Sequence, residues 1–422
     1  MADQKERVLL IALRRKGVSD WEVDDHLDEL AQLADTAGAQ VMGRFTQRLA
    51  KPDPATFLGK GKVRELVGEV RNRSVNSVVF DDDLAPAQVR NLEKELDVKV
   101  LDRSGVILDI FARRARSREA RTQVELAQLN YLLPRLTRRW GHLSRQIGGI
   151  GVRGPGETQL EVDKRLVRER IAKLSKELVK IEKGRQVRRR RRESMFRAAI
   201  VGYTNAGKST LLNALTGAEA FVEDRLFATL DSTTRKLALT PQTSILLTDT
   251  VGFIRKLPHH LVASFRSTLE ETVQADLLMH VIDISHPQFR TQMKTVKSVL
   301  RELGLEERPR LFVFNKVDQL QEGAALEWAR KSYPNAVFIS ALLGIRISHL
   351  VQRLSDIVLQ EYVEGDLAIP IDKGDLVAKL YQLAEVLDID QRDGALHIRF
   401  RTHQATLDHV LSLIGSGNTT KP

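Results

Sequence analysis

The first hundred residues alternate two periods of hydrophobicity. "ERVLLIAL" (6–13) is a nearly continuous apolar run of strand length, whereas "WEVDDHLDELAQLADTAG" (21–38) spaces its apolar residues every three or four positions and closes on Gly38. The first pattern predicts a buried strand and the second an amphipathic helix with a glycine stop. "AQVMGRFTQRL", "GKVRELVGEVRNR", "SVNSVVFDDD" and "APAQVRNLEKELD" continue the alternation, so residues 1–115 are expected to form a small α/β domain. Asp81, Asp82 and Asp83 end a strand just before Pro86. They suit helix capping, with cation binding as the rival reading. "FLGKGKVREL" (57–66) is a Gly/Lys-rich loop opening a helix, a weak anion-binding signal.

The pattern then becomes helical only. Residues 119–140, "EARTQVELAQLNYLLPRLTRRW", predict a helix that Pro134 kinks or ends. Further on, Val167, Ile171, Leu174, Leu178 and Ile181 follow a 4, 3, 4, 3 spacing, the seam of a coiled coil. Between the two helices lies a tip, 141–157, with six glycines, Arg145 and Arg153; within it stands "GGIGVRGPGE" (148–157). Residues 116–195 therefore read as an antiparallel helical arm, ending in "RQVRRRRRE" (185–193).

From Phe196 short apolar runs return: "FRAAIVGY", "SILLTDT", "DLLMHVIDIS", "RPRLFVFNKVD" and "NAVFISAL". Apolar strands alternating with helices predict a parallel sheet covered on both faces over 196–360. Residues 361–422 predict a small α+β unit: "LAIPI", a helix near 374–386, a strand pair around the Asp393-Gly394 turn, and a last helix near 403–414. His397, His403 and His409 have no ligand-like surroundings in the sequence.

Composition sharpens this outline. A chain of 422 residues without cysteine suggests about three domains and a reducing compartment. No apolar run approaches a membrane span, so the expected location is the cytoplasm, with loose membrane association left open. The net charge of +11 is uneven. Residues 111–197 hold 25 Lys and Arg against 9 Asp and Glu, a local +16, and the remainder carries −5. Such a segment suits a polyanion, most simply nucleic acid; the rival is a solvated helical face.

The chemistry sits at strand ends. "GYTNAGKST" (202–210) matches G-x-x-x-x-G-K-[ST] between an apolar strand and a helix start. Gly202, Tyr203, Thr204, Asn205, Ala206 and Gly207 would wrap a phosphate chain with backbone amides. Lys208 would reach the β- and γ-phosphates, Ser209 would give a hydroxyl to Mg²⁺, and Thr210 completes the loop. "DTVG" offers Asp249 to the Mg²⁺ shell and the Gly252 amide to the γ-phosphate. "NKVD" supplies Asn315, Lys316 and Asp318. The Asp318 carboxylate suits the guanine N1–H and N2 amino donors, a pair that adenine lacks. "SAL", Ser340, Ala341 and Leu342, suits a loop closing over the base.

Four such motifs in order resemble a translation-factor-type P-loop GTPase domain. "LFATLDSTTR" (226–235) fits its first switch. Thr229 is the chosen second Mg²⁺-coordinating hydroxyl, with Thr233 and Thr234 as rivals. The catalytic set is thus Lys208, Thr229 and Gly252. Phe253 stands where many GTPases place a water-orienting glutamine, and it cannot hydrogen-bond water. Slow intrinsic hydrolysis completed by an external partner is expected, the rival being that Phe253 packs in the core and another group orients water. Asn205 can help hold a monovalent cation, so K⁺ stimulation is expected; equal turnover in K⁺ and Na⁺ would remove the idea.

With "GGIGVRGPGETQLE" (148–161), "LFATLD", "DTVGFI" and "NKVD" added, the whole chain resembles the HflX family of the Obg–HflX group. The resemblance implies a GTP- and GDP-binding factor engaging the large ribosomal subunit, and splitting or rescuing stalled ribosomes. It also implies rRNA contact through the arm, for which Arg145, Gly148, Gly149, Gly151, Arg153, Gly154, Gly156, Arg188, Arg189 and Arg190 are the candidates. A monomer without membrane insertion is expected. Rival readings are an RNA-remodelling protein for which the ribosome is incidental, and a scaffold whose arm binds a protein or an anionic membrane.

Overall fold

A computed structural model describes residues 5–136, 159–189, 195–217, 225–240, 243–256, 271–320, 323–360, 362–392, 394–403 and 407. The chain divides into two compact units. The first comprises 1–182 with 223–231 and 254–268, and the second comprises 183–222, 232–253 and 269–422.

The first unit opens with β1 (Arg7–Arg14), α1 (Asp20–Thr36), β2 (Gln40–Arg48), α2 (Lys60–Asn72), β3 (Ser77–Phe80), α3 (Pro86–Leu96), β4 (Lys99–Asp102) and α4 (Arg103–Arg114). The strands form a parallel sheet in the order β2-β1-β3-β4. Six successive residues of β1 are buried, as a strand covered on both faces requires. Leu9, Ile11 and Leu13 pack with Leu66, Val89 and Leu92 of α2 and α3.

One local expectation is corrected here. The three aspartates do not cap α3. That helix has Ala85 as its N-cap residue, whose amide donates to Gln88 Oε1 at 2.9 Å, and Pro86 as its first residue. The aspartates instead meet cationic and hydroxyl side chains, including Arg103 at Asp81 and Ser104 at Asp83. In the 57–66 loop the Gly59 amide donates to Gln47 Oε1 at 2.9 Å. α4 was not foreseen. It follows β4 with no loop between them, and Asp102 caps it by accepting from the Gly105 amide at 3.0 Å.

The arm is built as expected as far as it is described. α5 (Arg118–Leu132) ends in a 3₁₀ turn at Leu133–Arg135, and α6 runs Gln159–Arg189. Arg118 pairs with Glu177 at 2.6 Å and Arg170 with Glu125 at 2.6 Å. One number rises as the other falls, so the helices are antiparallel. Between them Val167 and Leu174 are buried against Leu126, Leu129 and Leu133, with Ile171 partly buried beside them. Leu178 and Ile181 are half-buried. Opposite this seam Lys173, Lys176, Lys180 and Lys183 are exposed at 3, 4, 3 spacing.

The second unit carries β5 (Arg197–Gly202), α7 (Lys208–Thr216), β6 (Thr233–Ala238), β7 (Ser244–Asp249), β8 (Leu277–Asp283), α8 (Phe289–Glu302), β9 (Arg310–Asn315), α9 (Gly323–Ser332), β10 (Val337–Phe338) and α10 (Ile347–Gln360). The sheet order is β10-β9-β8-β5-β7-β6. It is parallel except for β6, which pairs antiparallel with β7. The polar string "TTRKLA" hid this strand from an apolar-run reading; it sits at the sheet edge with three residues exposed.

The same unit ends in β11 (Tyr362–Pro370), α11 (Gly374–Leu383), β12 (Glu385–Arg392) and β13 (Ala395–His403), with sheet order β11-β13-β12. Arg392 pairs with Ala395, and Gly394 takes φ +78°, so the hairpin falls where the Asp393-Gly394 signal puts it. The helix stops at Leu383 rather than 386, because Glu385 already pairs with Arg401. Of the range 403–414 expected to be helical, His403 ends β13, and the rest lies outside the described residues except Leu407. Among the described residues no helix is long and apolar enough to cross a membrane.

Candidate active site

β5 delivers the phosphate-loop sequence to the start of α7. Its turn needs left-handed backbone at Asn205 (φ +60°) and Gly207 (φ +90°). A Cβ at Gly207 would lie 2.3 Å from Asn315 Nδ2, so both conformation and space require glycine there. Lys208 is buried, and its Nζ donates to the Tyr203 carbonyl at 2.8 Å. Burial pulls its pKa down to about 8 although the Asp249 carboxylate opposes the shift.

Asp249 ends β7, and its Oδ2 accepts from Ser209 Oγ at 2.6 Å. Two hard oxygen donors thus stand together beside the buried lysine. That donor chemistry fits Mg²⁺, which takes carboxylate and hydroxyl oxygen. The next loop is tied to the phosphate loop: the Phe253 amide donates to the Gly202 carbonyl at 3.0 Å and the Thr204 amide to the Phe253 carbonyl at 2.7 Å. A Cβ on Gly252 would lie 2.7 Å from Thr204 Cα and 2.9 Å from Lys208 Nζ. Only glycine brings its amide this close. Phe253 is 1% exposed, so its ring is a core group and does not face water.

The three threonines separate. Thr233 and Thr234 lie in β6. The Thr234 hydroxyl meets Thr248 Oγ1 at 2.9 Å and Glu271 at 3.3 Å. Thr229 precedes β6 in the segment 223–231, which belongs to the first unit. That segment is anchored there at both sides of Thr229. The Phe227 and Phe111 rings meet edge-on at 4.8 Å. Asp231 Oδ2 accepts from the Arg116 and Ser117 amides at 2.8 and 3.1 Å.

At the end of β9, Asn315 is 2% exposed. Its Nδ2 donates to the Ala206 carbonyl and its Oδ1 accepts from the Ala341 amide, both at 2.9 Å. Asn315 therefore braces the phosphate loop against the "SAL" loop. Lys316, at φ +62°, pairs with Asp283 at 2.6 Å. Asp318 is exposed in the 3₁₀ turn that follows. Ser340 Oγ accepts from the Leu343 amide at 3.2 Å, and Leu342 is 74% exposed. Ala341 is buried.

Sequence reasoning missed Asp283, which aims Lys316; its signal was an acid at the carboxyl end of β8. It also missed Thr250, whose hydroxyl donates to the Ile200 carbonyl at 2.6 Å and locks the "DTVG" loop to β5. Of the RNA-contact candidates, Arg145, Gly148, Gly149, Gly151, Arg153, Gly154, Gly156 and Arg190 lie outside the described residues. Arg188 and Arg189 lie on the last turn of α6.

The comparisons agree with this geometry. Residues 24–112 match the family described as GTP-binding GTPase N-terminal, 114–192 the GTP-binding GTPase Middle Region, and 197–316 the 50S ribosome-binding GTPase. GTPase HflX of Caldanaerobacter subterraneus subsp. tengcongensis is 46% identical over 401 residues, 94% of this chain and 91% of that protein. GTPase HflX of Flavobacterium psychrophilum is 50% identical over 313 residues, 74% of this chain and 76% of that protein. GTPase HflX of Escherichia coli is 43% identical over 386 residues, 90% of each. The chain belongs to the HflX family of GTPases.

Proposed function

We propose that this GTPase engages the large ribosomal subunit through its basic arm, splits or rescues stalled ribosomes, and hydrolyses GTP slowly until the ribosome stimulates it. The observation that carries the reading is the arm. Its apolar seam faces inward between α5 and α6, and a row of four exposed lysines lies on the opposite side of α6. A helix patterned this way offers phosphate contacts, which position an RNA partner without reading its sequence. The family description of residues 197–316 as a 50S ribosome-binding GTPase supports the choice of partner.

In the nucleotide site, the 202–210 loop wraps the phosphates and Lys208 neutralises the β- and γ-phosphates. Ser209 and Asp249, with Thr229 from the first switch, would hold Mg²⁺, which supplies charge neutralisation between the phosphates. The Gly252 amide donates to the γ-phosphate, Asp318 accepts from guanine, and the 340–342 loop closes over the base. Phe253, packed in the core, offers no hydrogen bond to the attacking water, so another group orients it, and in this reading that group is ribosomal. Asn205, exposed at the loop's left-handed turn, is the candidate for K⁺ stimulation.

Sucrose-gradient sedimentation with ribosomes tests the reading. With a non-hydrolysable GTP analogue the protein is expected to travel with the large subunit and to deplete intact ribosomes, and with GDP to stay near the top. Absence from ribosomal fractions in every nucleotide state would overturn it. Turnover stimulated as strongly by free RNA as by ribosomes would favour RNA remodelling instead.

A further inference from the structure

The residues that follow the γ-phosphate loop are gripped by one buried carboxylate. Asp81, at the end of β3, is 2% exposed. Its Oδ1 accepts from Arg103 Nη1 at 2.8 Å and Arg255 Nη2 at 3.0 Å, and its Oδ2 from Lys256 Nζ at 2.8 Å. Asp82 adds a bond from Lys256 Nζ at 2.6 Å. Arg103, 1% exposed, also reaches the main chain of the gripped segment, donating from Nε to the Arg255 carbonyl at 3.0 Å. Glu29 meets Arg103 on its other side and lies 3.8 Å from Arg255. All of these residues belong to the first unit.

The clasp also holds a strained backbone. Lys256 takes φ +52°, a conformation that a β-carbon disfavours and that persists only where its surroundings over-determine it. Burial pushes the Asp81 carboxyl up, but Arg255, Arg103 and Lys256 outweigh that and hold it well below the usual carboxylate range. The carboxylate is therefore charged throughout the working pH range. Nearby His26 is pulled down to about 4 by burial and by Arg255, so it adds no competing positive charge at neutral pH.

The location gives the clasp its consequence. Arg255 and Lys256 are the third and fourth residues after Gly252, and Ile254 between them and Phe253 is fully buried. In P-loop GTPases this stretch is ordered by the γ-phosphate and released after hydrolysis. A segment anchored a few residues downstream has fewer arrangements open to it, so less ordering remains to be done when the γ-phosphate arrives.

We infer that Asp81 is a positioning residue for GTP recognition: by clasping Arg255 and Lys256 it presets the Gly252 loop for the γ-phosphate. GDP has no γ-phosphate, so its binding does not draw on the clasp. The prediction is therefore a change in discrimination between the two nucleotides and not a general loss of binding.

The test uses full-length protein and the fluorescence of labelled GDP and a labelled non-hydrolysable GTP analogue. Asp81→Asn is expected to weaken the analogue about tenfold, equivalent to about 1.4 kcal/mol, and GDP by less than about twofold. Lys256→Gln, which alters a side chain 37% exposed, is expected to act in the same direction with the fold intact. The double variant should lose little more than the worse single one, since both act through one clasp. Parallel losses for both nucleotides in Lys256→Gln, or an unchanged ratio in the two single variants, would overturn the inference. If Asp81→Asn does not fold, Lys256→Gln decides alone.

Discussion

Lys208 and His280 show how the same burial has opposite uses at single residues. Lys208 is buried, and the phosphate contact proposed for it needs its charge. With its pKa brought down to about 8, it keeps its proton at pH 7 and loses it as pH rises further. Nucleotide affinity is expected to fall as pH is raised from 7 to 9.5, with the bend near 8, in a fluorescence titration. An affinity flat across that range would mean that Lys208 stays protonated.

His280 on β8 is buried against Phe312, with ring centroids 5.5 Å apart. Burial, with smaller contributions from Arg310 and Lys208, lowers its pKa to about 3. An unfolded histidine titrates near 6.5, so below that pH the unfolded chain takes up the proton first. His280 therefore costs stability as pH falls from about 6.5 towards 3, at a slope approaching 1.4 kcal/mol per pH unit. Urea unfolding at pH 5 and 7.5 is expected to show His280→Phe less acid-sensitive than the unaltered protein. Equal acid sensitivity would place the effect elsewhere.

At the scale of elements, strands and helices with a strong apolar period were legible. β1, α1 and the α5–α6 pair fall where their patterns put them, because each buries a face that the sequence writes repeatedly. β6 and α4 were not legible. β6 is a polar edge strand that exists because β7 offers it backbone partners. α4 is started by Asp102, whose carboxylate also meets Tyr131 at 2.7 Å and Arg135 at 3.0 Å, contacts from 29 and 33 residues away.

The arm carries the prediction at this scale. Deleting residues 148–154 is expected to spare basal GTP hydrolysis and to abolish ribosome-dependent stimulation. Loss of basal hydrolysis would make the tip a structural part of the enzyme. Docking through the lysine row is also expected to weaken steeply with salt, with a log–log slope of about −0.7 to −0.9 per neutralised phosphate.

Across the whole molecule, the sequence motifs divide differently from the packing. The phosphate loop, "DTVG", "NKVD" and "SAL" belong to one unit, whereas 223–231 and 254–268 belong to the other. The described residues around Thr229 and those just after Phe253 are thus anchored within the unit that also holds the described arm. Asp231 accepts from two amides at the start of α5, and Asp81 clasps Arg255 and Lys256.

The sequence by itself determined the P-loop GTPase motifs. The glycines of close approach, the loop lysine and the "NKVD" aspartate are local features, each written within a few residues at a strand end. It determined the arm as well, because helical periodicity and charge are read along the chain. Only the tertiary structure decided that Asn315 braces two loops, that Phe253 is a core residue, and that Asp81 grips side chains 174 and 175 residues away. Such roles depend on which groups meet after the chain has folded, and a carboxylate carries no mark in the sequence of the cation that will neutralise it.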